Sequence, residues 1–184
     1  CGQPTCWHVS GDGAHRKVCG KPISATSASQ IVATLVDHFG DRRAILSAPV
    51  VRGKKGFHRD ALEAIQRQGF VRARVDGQLI DLREALKAPG ENPLKLGRYE
   101  VHDVDAVIDR IQISAETRQR LAESVETALK LADGNVTVLL ETKAEKSADA
   151  SGALAWDERR YSEKFACADH PECSLEELEP RLFS

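Results

Sequence analysis

A chain of 184 residues with 41% hydrophobic and 29% charged side chains has room for one domain with a buried core and a small appendage. Its 26 lysines and arginines face 28 aspartates and glutamates, a formal charge of −2, so any contact with nucleic acid must come from a local patch and not from a global field. No apolar run approaches the length of a membrane span and no charged-then-apolar leader opens the chain, so a cytoplasmic location without membrane contact is expected. The absence of Met and the start at Cys1 lead us to expect a segment of a longer protein.

The opening "CGQPTCWHVSGDGAHRKVCGKPI" is rich in Gly, Cys and His and has no periodicity, which predicts an irregular lobe over 1–23. The main domain is expected over 24–145. In "SATSASQIVATLVDHFG", Ser and Thr residues offer an N-cap, while Ile31, Leu35 and Phe39 recur at helical spacing. Val32 and Val36 widen that stripe, and Gly40 is the stop signal. "RAILSAPVV" is short, apolar and bounded by charge, as a buried strand is. A basic, glycine-flanked turn, "RGKKG", then leads into a helix with Leu62, Ala64 and Ile65 inward, closed by Gly69. "FVRARVDGQLIDL" reads as a strand pair turning at Asp76-Gly77. A Pro- and Gly-containing loop, "REALKAPGENPLKLGR", precedes the longer strand "YEVHDVDAVIDRIQIS". In that strand Val104, Ala106 and Ile108 alternate with Asp105, Val107 and Asp109. "AETRQRLAESVETALKLADG" is the clearest helix, with Leu121, Val125, Ala128 and Leu129 in one stripe and Gly134 at its end. "NVTVLLETK" is a strand, 146–160 an exposed loop of small polar residues, and "RYSEKFAC" a last strand opening the return segment 161–184. This order predicts an α+β fold, a mainly antiparallel sheet with packed helices, beside an irregular Cys/His-rich lobe formed near the chain termini.

Alternation in "FVRARV" puts Phe70, Arg72 and Arg74 on one side of a strand and Val71, Ala73 and Val75 on the other. Two guanidinium groups fixed side by side suit an acidic protein partner, an anionic small molecule or a nucleic acid. "RGKKG" lacks the glycine spacing and the Lys-Ser/Thr pair of a nucleotide-binding loop. Lys54, Lys55 and Arg59, near His58 at a helix start, remain candidates for contact with a phosphate backbone. Strand spacing places Asp103 and Asp105 on one face, either as a cation site or, the favoured reading, as a polar sheet face. His38, His58 and His102 are scattered, and no central Ser, Cys, His and Asp form a nucleophile–base set. No catalytic residue is therefore assigned, and the chain is expected not to be an enzyme by itself.

Five cysteines sit at the two ends: Cys1, Cys6 and Cys19, then Cys167 and Cys173. An odd number without a leader argues against a disulfide framework. Mixed with His8, His15 and His170, they suit structural zinc, which takes thiolates and imidazoles in a tetrahedron. Cys1 with Cys6, or Cys6 with His8, offers one pair, Cys19 a further ligand, and Cys167 with His170 or Cys173 a closing pair. None has the two-residue spacing of a zinc knuckle, and unpaired thiols at a segment boundary fit the sequence equally well.

Several stretches carry a family resemblance. "LSAPVVRGKKGFHRDALEAIQRQGFVRARVDG", "AVIDRI", "RLAESVETALKLADG" and "SEKFAC" with "ELEPRLFS" run in order from about Ser24 to Ser184 and resemble UvrA of the bacterial excinuclease. More narrowly, they resemble the insertion in its first ATPase half that docks UvrB, the damage-verifying, helicase-like partner. The resemblance implies nucleotide excision repair, in which a UvrA homodimer scans DNA and loads UvrB. It also implies a parent ATPase of the ABC class whose ATP-binding motifs lie outside this region. The family's partner-docking arginines fall on Arg72 and Arg110, with Arg74 and Asp109 beside them. Arginine suits that work because it pairs bidentately with carboxylates and tolerates partial burial better than lysine. The family's zinc module begins at a "FACPxC" phrase, which here reads "FACADHPEC", with wider spacing and His170 inside it. The opening cysteine segment is also longer than the family's short phrase before "SQIV", and suits either a separate site or a reach across to the closing pair.

Three readings follow, in order of preference: a protein-docking domain of a DNA-repair ATPase, a module that touches DNA through its own basic surface, and a metal-dependent enzyme built on the Cys/His clusters.

Overall fold

A computed structural model describes residues 7–10, 13–16, 25–142, 156–167 and 170–175, with side chains over 25–142 and 156–164. Strands β1 (Trp7–Ser10) and β2 (Gly13–Arg16) form a two-stranded antiparallel ribbon. Helix α1 (Ala28–Phe39) starts where the sequence offers a cap. The Ser27 hydroxyl accepts from the Gln30 amide and the Gln30 side chain accepts from the Ser27 amide, so two end donors are satisfied reciprocally. Ile31, Val32 and Leu35 are its buried stripe.

The chain continues as β3 (Arg43–Lys55), α2 (Arg59–Arg67), β4 (Arg72–Val75), β5 (Gln78–Asp81) and the single turn α3 (Leu82–Ala85). It then forms β6 (Val101–Gln112), α4 (Arg118–Leu131), β7 (Asn135–Glu141) and β8 (Trp156–Ser162). A second ribbon, β9 (Phe165–Cys167) with β10 (His170–Leu175), follows. Six strands make one antiparallel sheet in the order β5-β4-β6-β3-β7-β8. The α+β architecture expected from the element order is therefore the architecture found.

Four local expectations need correction. "RGKK" is not a turn: β3 runs on to Lys55, opposite Val101, through register shifts after Pro49 and Val51. Proline lacks the ladder donor and is tolerated at such bulges, and Gly53 supplies a φ of 56° that a side chain resists. Within the tract expected as loop over 146–160, β8 already begins at Trp156, and "RYSEKFAC" divides between β8 and β9. The loop after β5 starts with α3, capped by Asp81. Finally, Phe70 packs against the core while Val71 is exposed, because regular alternation begins only at Arg72.

Helices α1 and α4 cover one face of the sheet. Leu46, Val104, Ala106, Val138 and Leu140 meet Ile31, Leu35, Leu121 and Val125 there, all essentially inaccessible to water. Burying each Leu or Ile in this way stabilises by about 1.5–3 kcal/mol, so this layer supplies most of the driving force for folding. On the opposite face, among the described residues, Ile45, Val107 and Leu139 form a small cluster with Trp156 packed on them.

That opposite face is curled. In a flat sheet the four strand steps from β4 to β8 would separate them by roughly 19 Å at ~4.8 Å per step. Yet Arg74 on β4 bonds Glu158 on β8 at 2.8 Å, so the β4–β5 hairpin and β8 approach each other across the face.

Candidate functional site

The register decides which side chains look out from the open face. Arg74 pairs with Asp105, and Arg110 pairs with Ile45, whose side chain belongs to the open-face cluster. Arg72, two residues before Arg74, shares its side. Strict alternation along β6 would have put Asp109 on this face and Arg110 among the helices. A bulge prevents that: Val107 pairs with Ser47 and Asp109 with Leu46, which leaves Ile108 as the extra residue. Asp109 is thereby turned under α4 and Arg110 is turned outward.

At the centre of the face the charges are neutralised. Asp105 is buried, with Oδ1 2.5 Å from Arg52 Nη2 and Oδ2 3.5 Å from Arg74 Nη1. Glu158 accepts from Arg74 and from Arg160, and Arg52 also donates to the Thr137 hydroxyl at 3.3 Å. Burial raises the Asp105 pKa by more than Arg52 and Arg74 lower it. For the more accessible Glu158 the balance reverses: burial is outweighed by bonds from Arg74 and Arg160, and its pKa falls. Arg74 thus ties the hairpin to β8 and to the sheet centre.

Arg72 and Arg110 differ from these. Both are exposed and neither makes an ion pair among the described residues. The nearest carboxylates are committed elsewhere. Asp81, opposite Arg72, caps α3 by accepting from the amides of Arg83 and Glu84 at 2.9 and 3.4 Å. Asp109, beside Arg110, accepts two bonds of 2.8 Å from Arg120 and one of 3.1 Å from the Ser124 hydroxyl. It also takes the Arg110 amide at 2.8 Å. Together these contacts outweigh the effect of burial and lower the Asp109 pKa. Of the four residues expected to face a partner, the fold presents two unpaired cations, one cross-sheet tie and one helix-side clamp.

The basic set expected near α2 is also divided. Lys54 and Lys55 are exposed at the far end of β3. Arg59 is committed: its Nε donates to Glu63 at 2.7 Å and its Nη1 to the carbonyls of Ala88 and Gly90, which pins the following loop to α2. The Asp103–Asp105 pair is a polar sheet face, with Asp103 accepting the Gly53 amide at 2.7 Å. His102, buried nearby, is held between the Asp76 carboxylate at 2.6 Å and the Gly97 carbonyl at 2.9 Å. Sequence reasoning gave neither histidine nor turn this role; the Asp76-Gly77 hairpin signal was the only hint. Cys1, Cys6 and Cys19 lie outside the described residues, as do the side chains of Cys167, His170 and Cys173. In backbone register Cys167 lies opposite His170. Among the described residues no helix is long and apolar enough to cross a membrane.

An antiparallel α+β domain that packs helices on one sheet face and holds unpaired arginines on the other is a scaffold for presenting a surface. The model of the UvrA interaction domain matches residues 26–142, and the chain belongs to that family. The protein of Deinococcus radiodurans named UvrABC system protein A is 45% identical over 167 residues, covering 91% of this chain and 15% of that protein. Its namesake from Treponema pallidum is 46% identical over 176 residues, covering 93% of the chain and 17% of that protein. The one from Thermus thermophilus is 43% identical over 166 residues, covering 90% and 15%. The chain therefore spans about one-sixth of the length of these relatives.

Proposed function

We propose that the chain is the part of a nucleotide excision repair ATPase of the ABC class that docks UvrB, and that Arg72 and Arg110 are its anchors. The observation that carries this reading is the pair of exposed guanidinium groups whose neighbouring carboxylates, Asp81 and Asp109, are used up within the fold. Membership of an interaction-domain family supports it. An uncompensated arginine on a rigid strand has little to lose on meeting an acidic partner: no internal ion pair must break, and the strand fixes its position. In this reading the parent works as a cytoplasmic homodimer on DNA, and ATP binds outside this chain. Structural zinc near the two ends belongs to the same reading, supported by the cross-strand placement of Cys167 and His170. Metal analysis of the parent protein purified without chelator is expected to find it.

The direct test is titration calorimetry of UvrB against the full-length parent carrying Arg72→Glu or Arg110→Glu. Each substitution is expected to cost on the order of 2–5 kcal/mol of binding while leaving the fold intact. Wild-type affinity in both variants would reject the docking assignment.

A further inference from the structure

Beside Arg110 the open face holds a groove of about 690 Å³, set between the tip of the β4–β5 hairpin and the start of β8. Leu79, Trp156, the buried Ile45 and the cations Arg43 and Arg110 line it. Leu79 is 42% exposed although the cluster below it is buried. Among the described residues that leucine belongs to no buried cluster, and its strand partner Arg74 points to Asp105 and Glu158. Among the described lining residues Glu141 is the one carboxylate, 3.8 Å from Arg43, so Arg110 leaves a positive excess there.

We infer that this groove receives an apolar side chain of the docking partner, flanked in the partner's chain by carboxylates that meet Arg110 and Arg72. The inference rests on the docking reading above and adds a second source of affinity to it. Charge complementarity selects the occupant. A cationic segment would be repelled by Arg110, and a small free anion would leave Leu79 and Trp156 wet. An apolar plug with acidic neighbours satisfies both. It also explains how two surface arginines become strong anchors. Exposed ion pairs contribute little in water, whereas an apolar contact that excludes water around them lowers the local dielectric and strengthens the pairing.

The test uses the full-length parent and UvrB, titrated at two salt concentrations with Leu79→Asn, Leu79→Met and Arg110→Glu. Leu79→Asn is expected to bind about ten- to a hundredfold more weakly, the loss for removing a buried aliphatic side chain, by nearly the same factor at both salts. Leu79→Met should restore most of the affinity, and the Arg110→Glu defect should shrink as salt rises. If Leu79→Asn binds like wild type while Arg110→Glu does not, the groove plays no part and the docking reading survives. If neither variant loses affinity, the docking reading falls and the groove falls with it. Unfolding midpoints equal to wild type confirm that the Leu79 variants are folded, as its surface position requires.

Discussion

Arg74 and Arg72 sit two residues apart on the same side of one short strand, yet the fold treats them in opposite ways. Arg74 is sandwiched between Asp105 and Glu158 and joins strands that a flat sheet would keep apart. Arg72 faces a carboxylate that is already capping a helix turn. Arg110 repeats the pattern on β6, next to an aspartate clamped by Arg120. Residue type alone does not decide which arginines the fold leaves unpaired here. What marks them is the commitment of the acids around them, because a guanidinium already paired must break an interaction before it can make another.

That contrast can be broken from either side. The largest effect on the fold is expected beneath both groups: Leu140→Ala removes a fully buried side chain from the helix-packed face and should cost about 2–5 kcal/mol in denaturant unfolding. Next, Glu158→Ala cuts the tie across the curl and should destabilise by about 1–3 kcal/mol. It should also weaken partner binding, since the hairpin carrying Arg72 is no longer held against β8. A Glu158→Ala protein with unaltered unfolding and binding would show that Arg74 does no structural work. Asp109→Asn should change stability less than Glu158→Ala does, because its partner Arg120 is exposed and screened by solvent, and should leave partner affinity alone. A binding defect as large as that of Arg110→Glu would instead return Asp109 to the docking surface.

The smallest effect is a pH dependence at the opposite end of β6. Both nitrogens of the His102 ring face acceptors, and the bond to Asp76, then the Gly97 carbonyl, raise its pKa above the ordinary 6.5. A folded-state pKa above the unfolded one means that this contribution is complete below about pH 6.5 and is lost as pH rises through the folded value. Thermal midpoints should therefore drift downward on the alkaline side, and Asp76→Asn should flatten the drift. Affinity for the partner should not follow it.

Much of this architecture was legible in the sequence because local signals agreed with one another. The Ser27 cap preceded a 3.6-residue apolar stripe, Asp76-Gly77 stood between alternating strands, and the α4 stripe ended at a glycine. The misreadings fell where one residue changes the side of everything after it. Alternation in "AVIDRI" pointed Asp109 outward, and the Ile108 bulge reversed it together with Arg110. A basic, glycine-flanked "RGKK" looked like a turn because nothing local announces that Val101 and His102 will pair with it.

The sequence by itself determined the helices, the strands and the α+β class, since caps, turns and periodicity act over a few residues. Its family phrases also placed arginines at positions 72 and 110. Only the tertiary structure decided which arginines are free to act. That outcome depends on a bulge, on the curl that brings β4 to β8, and on which acid each guanidinium meets first, and the deciding contacts run from the local cap that Asp81 makes to the Arg74–Glu158 bond between residues 84 positions apart.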